Sequence, residues 1–99
     1  MRKTQATVQV ALALMAGPYG RHWGYQLSKA TGLRSGVLYP IIHRMHDDGW
    51  LKDGWEPNLN GKPPRRYYEI TEKGLVELGA LVAEARTDVR FSALVQRFA

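Results

Sequence analysis

The sequence predicts a mostly α-helical fold with one small β-hairpin. Three observations carry that expectation. Apolar residues recur at helical spacing before Gly49 and again after Thr71. Between those points the period shortens to two, and aromatic and β-branched residues take over. In the middle of the short-period region stands Asn60-Gly61, a hairpin turn signal. The 99 residues suffice for one domain and not two.

A first helix is expected from about Thr4 to Ala16. Val8, Leu12 and Met15 share one face while Val10 and Leu14 occupy another, so it asks for burial on two sides, more than one small domain offers. "GPYG", Gly17 to Gly20, stops it. A second helix is expected near His22 to Thr31, with Trp23, Leu27 and Ala30 on one stripe and Gly32 as its left-handed end. The third, Ser35 to Asp47, places Leu38, Ile41, Ile42 and Met45 inward. Gly36, Tyr39, Pro40 and His43 lie across from or beside that stripe. With Ser35 as N-cap, Pro40 is the fifth helical residue, and it removes one hydrogen bond and crowds the Gly36 carbonyl.

Two strands follow. In "WLKDGWEP" Leu51, Asp53 and Trp55 alternate with Trp50 and Lys52, and in "RRYYEI" Tyr68 and Ile70 alternate with Tyr67 and Glu69. Pro63 and Pro64 stiffen the connection, and the hairpin tip carries Lys62, Arg65 and Arg66. Thr71 then caps a last helix in which Leu75, Leu78, Val82, Ala85 and Val89 recur at 3-4-3-4 spacing, a seam for another helix. The later apolar residues Phe91, Leu94, Val95 and Phe98 lie roughly 170° from that seam on a straight helix. Either the helix breaks near Arg86 to Asp88, or its end meets a different body.

Two short helices joined tightly, the second turning a smooth face outward, then a hairpin with a basic tip: this order describes a winged helix-turn-helix. Residues 1–72 are expected to form that unit, and residues 73–99 to add a C-terminal helix, with its seam for another helix, to the same compact body. Charge agrees. Residues 1–46 hold six Lys/Arg and no acid, whereas residues 47–99 hold eight basic and nine acidic residues. An anionic partner approached by the first half explains that asymmetry, since a merely solubilising surface mixes both signs. The helix start adds free N–H groups and partial positive charge, suited to phosphate.

The absence of cysteine removes disulfides and thiolate metal sites and fits a reducing compartment, here the cytoplasm. No apolar run is long enough to span a membrane. The opening "MRKTQATVQVALALMAG" has the outline of a signal peptide, but Thr4, Gln5, Thr7 and Gln9 interrupt it, and the domain needs this helix. His43 and His46 have i, i+3 spacing, yet His22 is the only further histidine, so no metal and no cofactor is expected. The chain lacks a Gly-rich phosphate loop, H-E-x-x-H and G-x-S-x-G, and it is not read as an enzyme.

The residues also resemble the PadR-like family of transcriptional regulators. "WGYQLSKATGL" is similar to the family's second helix and "SGVLYPIIHRMHDDGWL" to its recognition helix and turn. "GKPPRRYYEITEKGLVEL" is similar to its wing and following strand. The likeness spans about Ala11 to Leu78. It implies a homodimeric bacterial repressor on a palindromic operator, dimerised through the C-terminal helix, with any small-molecule effector bound at or near that interface. It carries DNA contacts onto Ser35, Gly36, Tyr39, Lys62, Arg65 and Arg66. The chain departs from larger members in its single short C-terminal helical region, which contains no tryptophan.

The expected double-stranded DNA surface is therefore Arg34, Ser35, Gly36, Tyr39, Pro40, His43 and Arg44 with the hairpin's Lys62, Arg65 and Arg66. Arg2 and Lys3 form either an arm toward DNA or a loose terminus. Trp23, Trp50 and Trp55 are assigned to packing. The expected dimer contact is Val10 and Leu14 with Leu75, Leu78, Val82, Ala85 and Val89, and Phe91, Leu94, Val95 and Phe98. A winged helix used only to contact protein, as an assembly or antirepressor module, is the competing reading. It asks for an apolar outer face on the third helix, which glycine, serine and histidine do not supply.

Overall fold

The computed structural model describes residues 1–98. Its elements run α1 (Gln5–Met15), β1 (His22–Trp23), α2 (Gly24–Thr31), α3 (Ser35–Asp47), β2 (Leu51–Glu56), β3 (Arg65–Ile70), α4 (Glu72–Arg86), a 3₁₀ turn (Val89–Phe91) and α5 (Ser92–Arg97). The sheet is antiparallel in the order β1-β3-β2.

Helix α1 begins where the Thr4 hydroxyl accepts the Thr7 N–H at 3.1 Å, replacing a bond the first turn lacks. Val8, Val10, Ala11 and Leu14 are fully buried. Both sides of the helix are covered within the one chain, by α2 and α3 and by α4 and α5. The expectation that α1 needs a partner chain to cover its second side is thus corrected: the end of the chain folds back to do so.

His22 and Trp23 are extended rather than helical. They pair with Tyr68 and Tyr67, so the hairpin gains a third strand. Sheet bonds satisfy these backbone groups before α2 starts, and α2 buries Gly24, Leu27 and Thr31 instead of the Trp23-Leu27-Ala30 stripe. Gly32 ends α2 at φ 74°, as expected of a left-handed residue.

Helix α3 spans Ser35–Asp47 with Arg34 in the capping position, so Ser35 is its first residue and Pro40 its sixth. Leu38, Ile42 and Met45 are fully buried beneath it. The turn after it is fastened twice: Trp50 N–H donates to the Met45 carbonyl at 2.9 Å, and the Thr71 hydroxyl donates to the Gly49 carbonyl at 2.6 Å. Thr71 also caps α4, accepting the Gly74 N–H at 3.0 Å. Gly74 is buried so closely against this turn that a Cβ there would overlap the Trp50 carbonyl oxygen.

The two readings of the C-terminus resolve to a break. Helix α4 stops at Arg86, the Asp88 carboxylate accepts the Arg90 N–H at 3.0 Å, and the chain turns so that Phe91 is buried. Leu94, Val95 and Phe98 then pack against the common core. Val10, Leu14, Leu78, Val82, Ala85 and Phe91 are consequently enclosed within a single chain. Of the residues expected at a chain–chain contact, Val89 stands 84% exposed, and Leu75, Leu94, Val95 and Phe98 are half-buried.

Candidate nucleic-acid interface

The inward stripe of α3 fixes its outward one. With Leu38, Ile42 and Met45 locked in the core, Ser35, Gly36, Pro40, His43 and Arg44 are left exposed, together with Arg34 just before them. A Cβ built at Gly36 meets nothing within 4 Å, so no contact inside the chain requires glycine there.

Tyr39 lies on the outward side of α3, as its sequence-based placement has it, but its hydroxyl end is covered. It is 37% exposed, and its phenol lies so close to Gly24 that a Cβ on Gly24 would overlap the hydroxyl. The hydroxyl turns onto the start of α2, leaving part of the ring to the surface, 6.2 Å from the His43 ring. The α2–α3 crossing is close enough that only glycine at position 24 leaves room for the ring.

The hairpin divides its cations. Gly61, at φ 69°, makes the tip turn, and Lys62 and Arg65 beyond it are exposed and in no ion pair among the described residues. Arg65 stacks over the Trp23 ring at 5.4 Å. Arg66 is engaged: its guanidinium meets Asp53 at 2.9 Å and lies 5.2 Å from the Tyr68 ring and 5.9 Å from that of Trp55. Asp53 also lies 3.0 Å from the His46 ring nitrogen. Hydrogen bonding from His46, with that from Arg66, holds the Asp53 carboxyl below its ordinary range. Asp53 thereby ties the end of α3 to the hairpin. His46 is occupied by this carboxylate, and no group of three or more metal-capable side chains occurs among the described residues.

Trp50 is buried as assigned, but Trp55 is 62% exposed, which corrects its assignment to packing. It shares a sheet face with Leu51 and is paired with Arg66, beyond the point where helices cover that face. Its position near the hairpin tip is the one sequence signal that could have set it apart.

Comparison with known proteins agrees with this architecture. Residues 12–80 match the model of the transcriptional regulator PadR-like family. The protein smu.1704 from Streptococcus mutans UA159 superposes with a TM-score of 0.71 at 21% identity, covering 88% of this chain and 85% of that one. A PadR family transcription regulator from Clostridium difficile R20291 gives 0.69 at 20% identity, covering 85% and 90%. A padr family transcriptional regulator from Eggerthella lenta DSM 2243 gives 0.67 at 24% identity, covering 83% and 76%. At these identities the structures establish the shared fold, and the family match covers well over half of the chain. No curated protein sequence matches it.

Proposed function

The chain belongs to the PadR-like family of transcriptional regulators, and from that premise we propose that it is a homodimeric, sequence-specific DNA-binding repressor acting on a palindromic operator in the cytoplasm. One observation carries the reading. The exposed face of α3 has no acidic side chain before Asp47, has a glycine its own fold does not require, and is bordered by the unpaired cations Arg34 and Arg44.

Such a face suits a major groove. Ser35, Gly36 and the first turn of α3 approach the duplex closely, with Pro40, His43 and the exposed part of Tyr39 toward base edges and sugars. Arg34, Arg44, Lys62 and Arg65 contact phosphates and set register. Arg66 acts chiefly through its bond to Asp53, which orients the hairpin. Symmetric pairing places two α3 helices about one turn of DNA apart.

For dimerisation, α4 offers a stripe the sequence pattern did not single out. Val76, 69% exposed, lines up with exposed Ala80 and Ala83 at i, i+4, i+7. Beside it stand half-buried Leu75 and exposed Val89, with the half-buried Leu94, Val95 and Phe98 of the C-terminal segment. A small molecule seated at or near this contact would change the spacing of the reading helices and release DNA.

The test is a gel shift with the chain's own upstream DNA at several salt concentrations. Lys62→Ala with Arg65→Ala should weaken binding to all sequences alike and reduce the salt slope by roughly 0.9 for each phosphate no longer neutralised. An unchanged slope rejects the reading.

A further inference from the structure

The reading helix has two flanks, and the chain treats them differently. On one, Tyr39 rests on Gly24 and His46 reaches Asp53 of β2, so this flank faces the sheet and its hairpin. Arg44 is roughly 140° round from Tyr39 on a helix of 3.6 residues per turn. On Arg44's side the first residues of the chain, Met1 and Arg2, close a cleft of about 350 Å³ against Thr4, Thr7, Pro40, Ile41 and Arg44.

No acidic side chain lines this cleft. Arg2 and Arg44 are exposed and in no ion pair among the described residues. The terminal segment is nonetheless held in place. Lys3 is fastened to Glu84 of α4 at 2.5 Å, and the Arg2 carbonyl accepts the Thr4 N–H at 3.0 Å. The Thr4 and Thr7 hydroxyls bond to each other at 3.0 Å and are spent on the start of α1, so the charge on this cleft comes from the guanidinium groups. Two uncompensated cations on one cleft repel each other until an anion lies between them, and the guanidinium fork matches phosphate oxygens.

We propose that this cleft seats a DNA phosphate on the strand opposite the one gripped by the hairpin. The inference rests on the DNA-binding reading above and adds to it. A major groove about 12 Å wide is bounded by two backbones, so a helix lying in it has one backbone along each flank. Lys62 and Arg65 serve the flank facing the sheet. Arg2 and Arg44 are what the chain presents to the other. The reading helix is thus held from both sides, which fixes its rotation in the groove.

The experiment uses the full chain and an operator fragment carrying a neutral methylphosphonate at each phosphate in turn. The weakening caused by a methylphosphonate on one strand should disappear in Lys62→Ala with Arg65→Ala, and that caused on the other strand should disappear in Arg2→Gln with Arg44→Gln. The latter pair should bind about tenfold more weakly for each cation that meets a phosphate at 0.1 M salt, with the slope lower by roughly 0.9 for each. Both residues are exposed, and circular dichroism melts should coincide with the parent's. An unchanged slope, or both pairs mapping to one strand, overturns the proposal while leaving the hairpin result standing. If the hairpin variant also leaves DNA binding unaltered, the DNA reading itself fails. Titration with inorganic phosphate supplies the remaining arm. Saturable binding abolished by Arg44→Gln, beside an unchanged DNA slope, makes the cleft a free-anion site and overturns the proposal.

Discussion

Helices α3 and α4 each carry a glycine in the first turn, and the two glycines answer to different surfaces. Gly74 of α4 is buried against the turn after α3, where any side chain would strike the Trp50 carbonyl. Gly36 of α3 is exposed, with nothing within 4 Å of a Cβ placed on it. Inward, the helices are alike: Leu38, Ile42 and Met45 under α3 match Leu78, Leu81, Val82 and Ala85 under α4. Outward they diverge. Helix α3 shows glycine, proline, histidine and arginine with one exposed valine, Val37, whereas α4 shows Val76, Ala80 and Ala83 flanked by Lys73, Glu77 and Glu84. Packing explains one face of each helix. The other face is left free by packing, and under the proposed function it meets a polyanion at α3 and an apolar surface at α4.

The comparison can be broken first at the shared inner face. Ile42→Ala and Leu78→Ala should each lower stability by about 2–5 kcal/mol in urea unfolding, since both side chains are fully buried and leave a cavity. A clear inequality would show that one helix is more loosely held. Next, Gly74→Ala should cost about 1–3 kcal/mol by overpacking, because the obstructing atom is backbone and moves only with the turn. Gly36→Ala should do the reverse. An exposed helical glycine replaced without a clash gains about 0.5–1 kcal/mol, while operator affinity should fall as the methyl group keeps the helix start off the DNA. A Gly36 variant that is more stable and binds unchanged would remove the distinction between the two glycines.

The smallest expected effect is with pH, and it concerns the strand beside α2 and α3. His22 is buried, its Nε2–H donates to the Gly17 carbonyl at 2.7 Å, and its Nδ1 has no partner among the described residues. Burial, opposed by that hydrogen bond, pushes its pKa below the ordinary value. The unfolded chain therefore binds the proton more readily. Stability is full above about pH 6.5, falls as the pH drops through that value, and levels below the folded pKa. Thermal melts between about pH 8 and 5 should show this slope, and His22→Gln should reduce it.

Periodicity made much of this legible. The bounds of α3, the Thr71 cap of α4 and the hairpin around Asn60-Gly61 follow from local spacing and turn chemistry, and the structure has them there. The two-residue strand β1 was hidden because Trp23 and Leu27 happen to be spaced as on a helix, while the pairing that makes His22–Trp23 a strand lies more than forty residues away. Trp55 was misplaced for a related reason. Alternation says which side of a strand or helix a residue occupies, not how far along that side the core extends.

By itself the sequence determined where α1 and α3 run, where α4 starts, where the hairpin turns, and that the first half carries positive charge without acid. Those properties depend on neighbours within a turn or two and on composition, so no fold is needed to see them. The tertiary structure alone decided that both sides of α1 and Leu78, Val82 and Ala85 of the α4 seam are spent inside one chain, that Arg66 is bound to Asp53 while Lys62 and Arg65 are in no ion pair among the described residues, and that Arg2 shares a cleft with Arg44. Each of these joins residues distant in sequence, and the free energy of such a contact exists only once the chain has closed on itself.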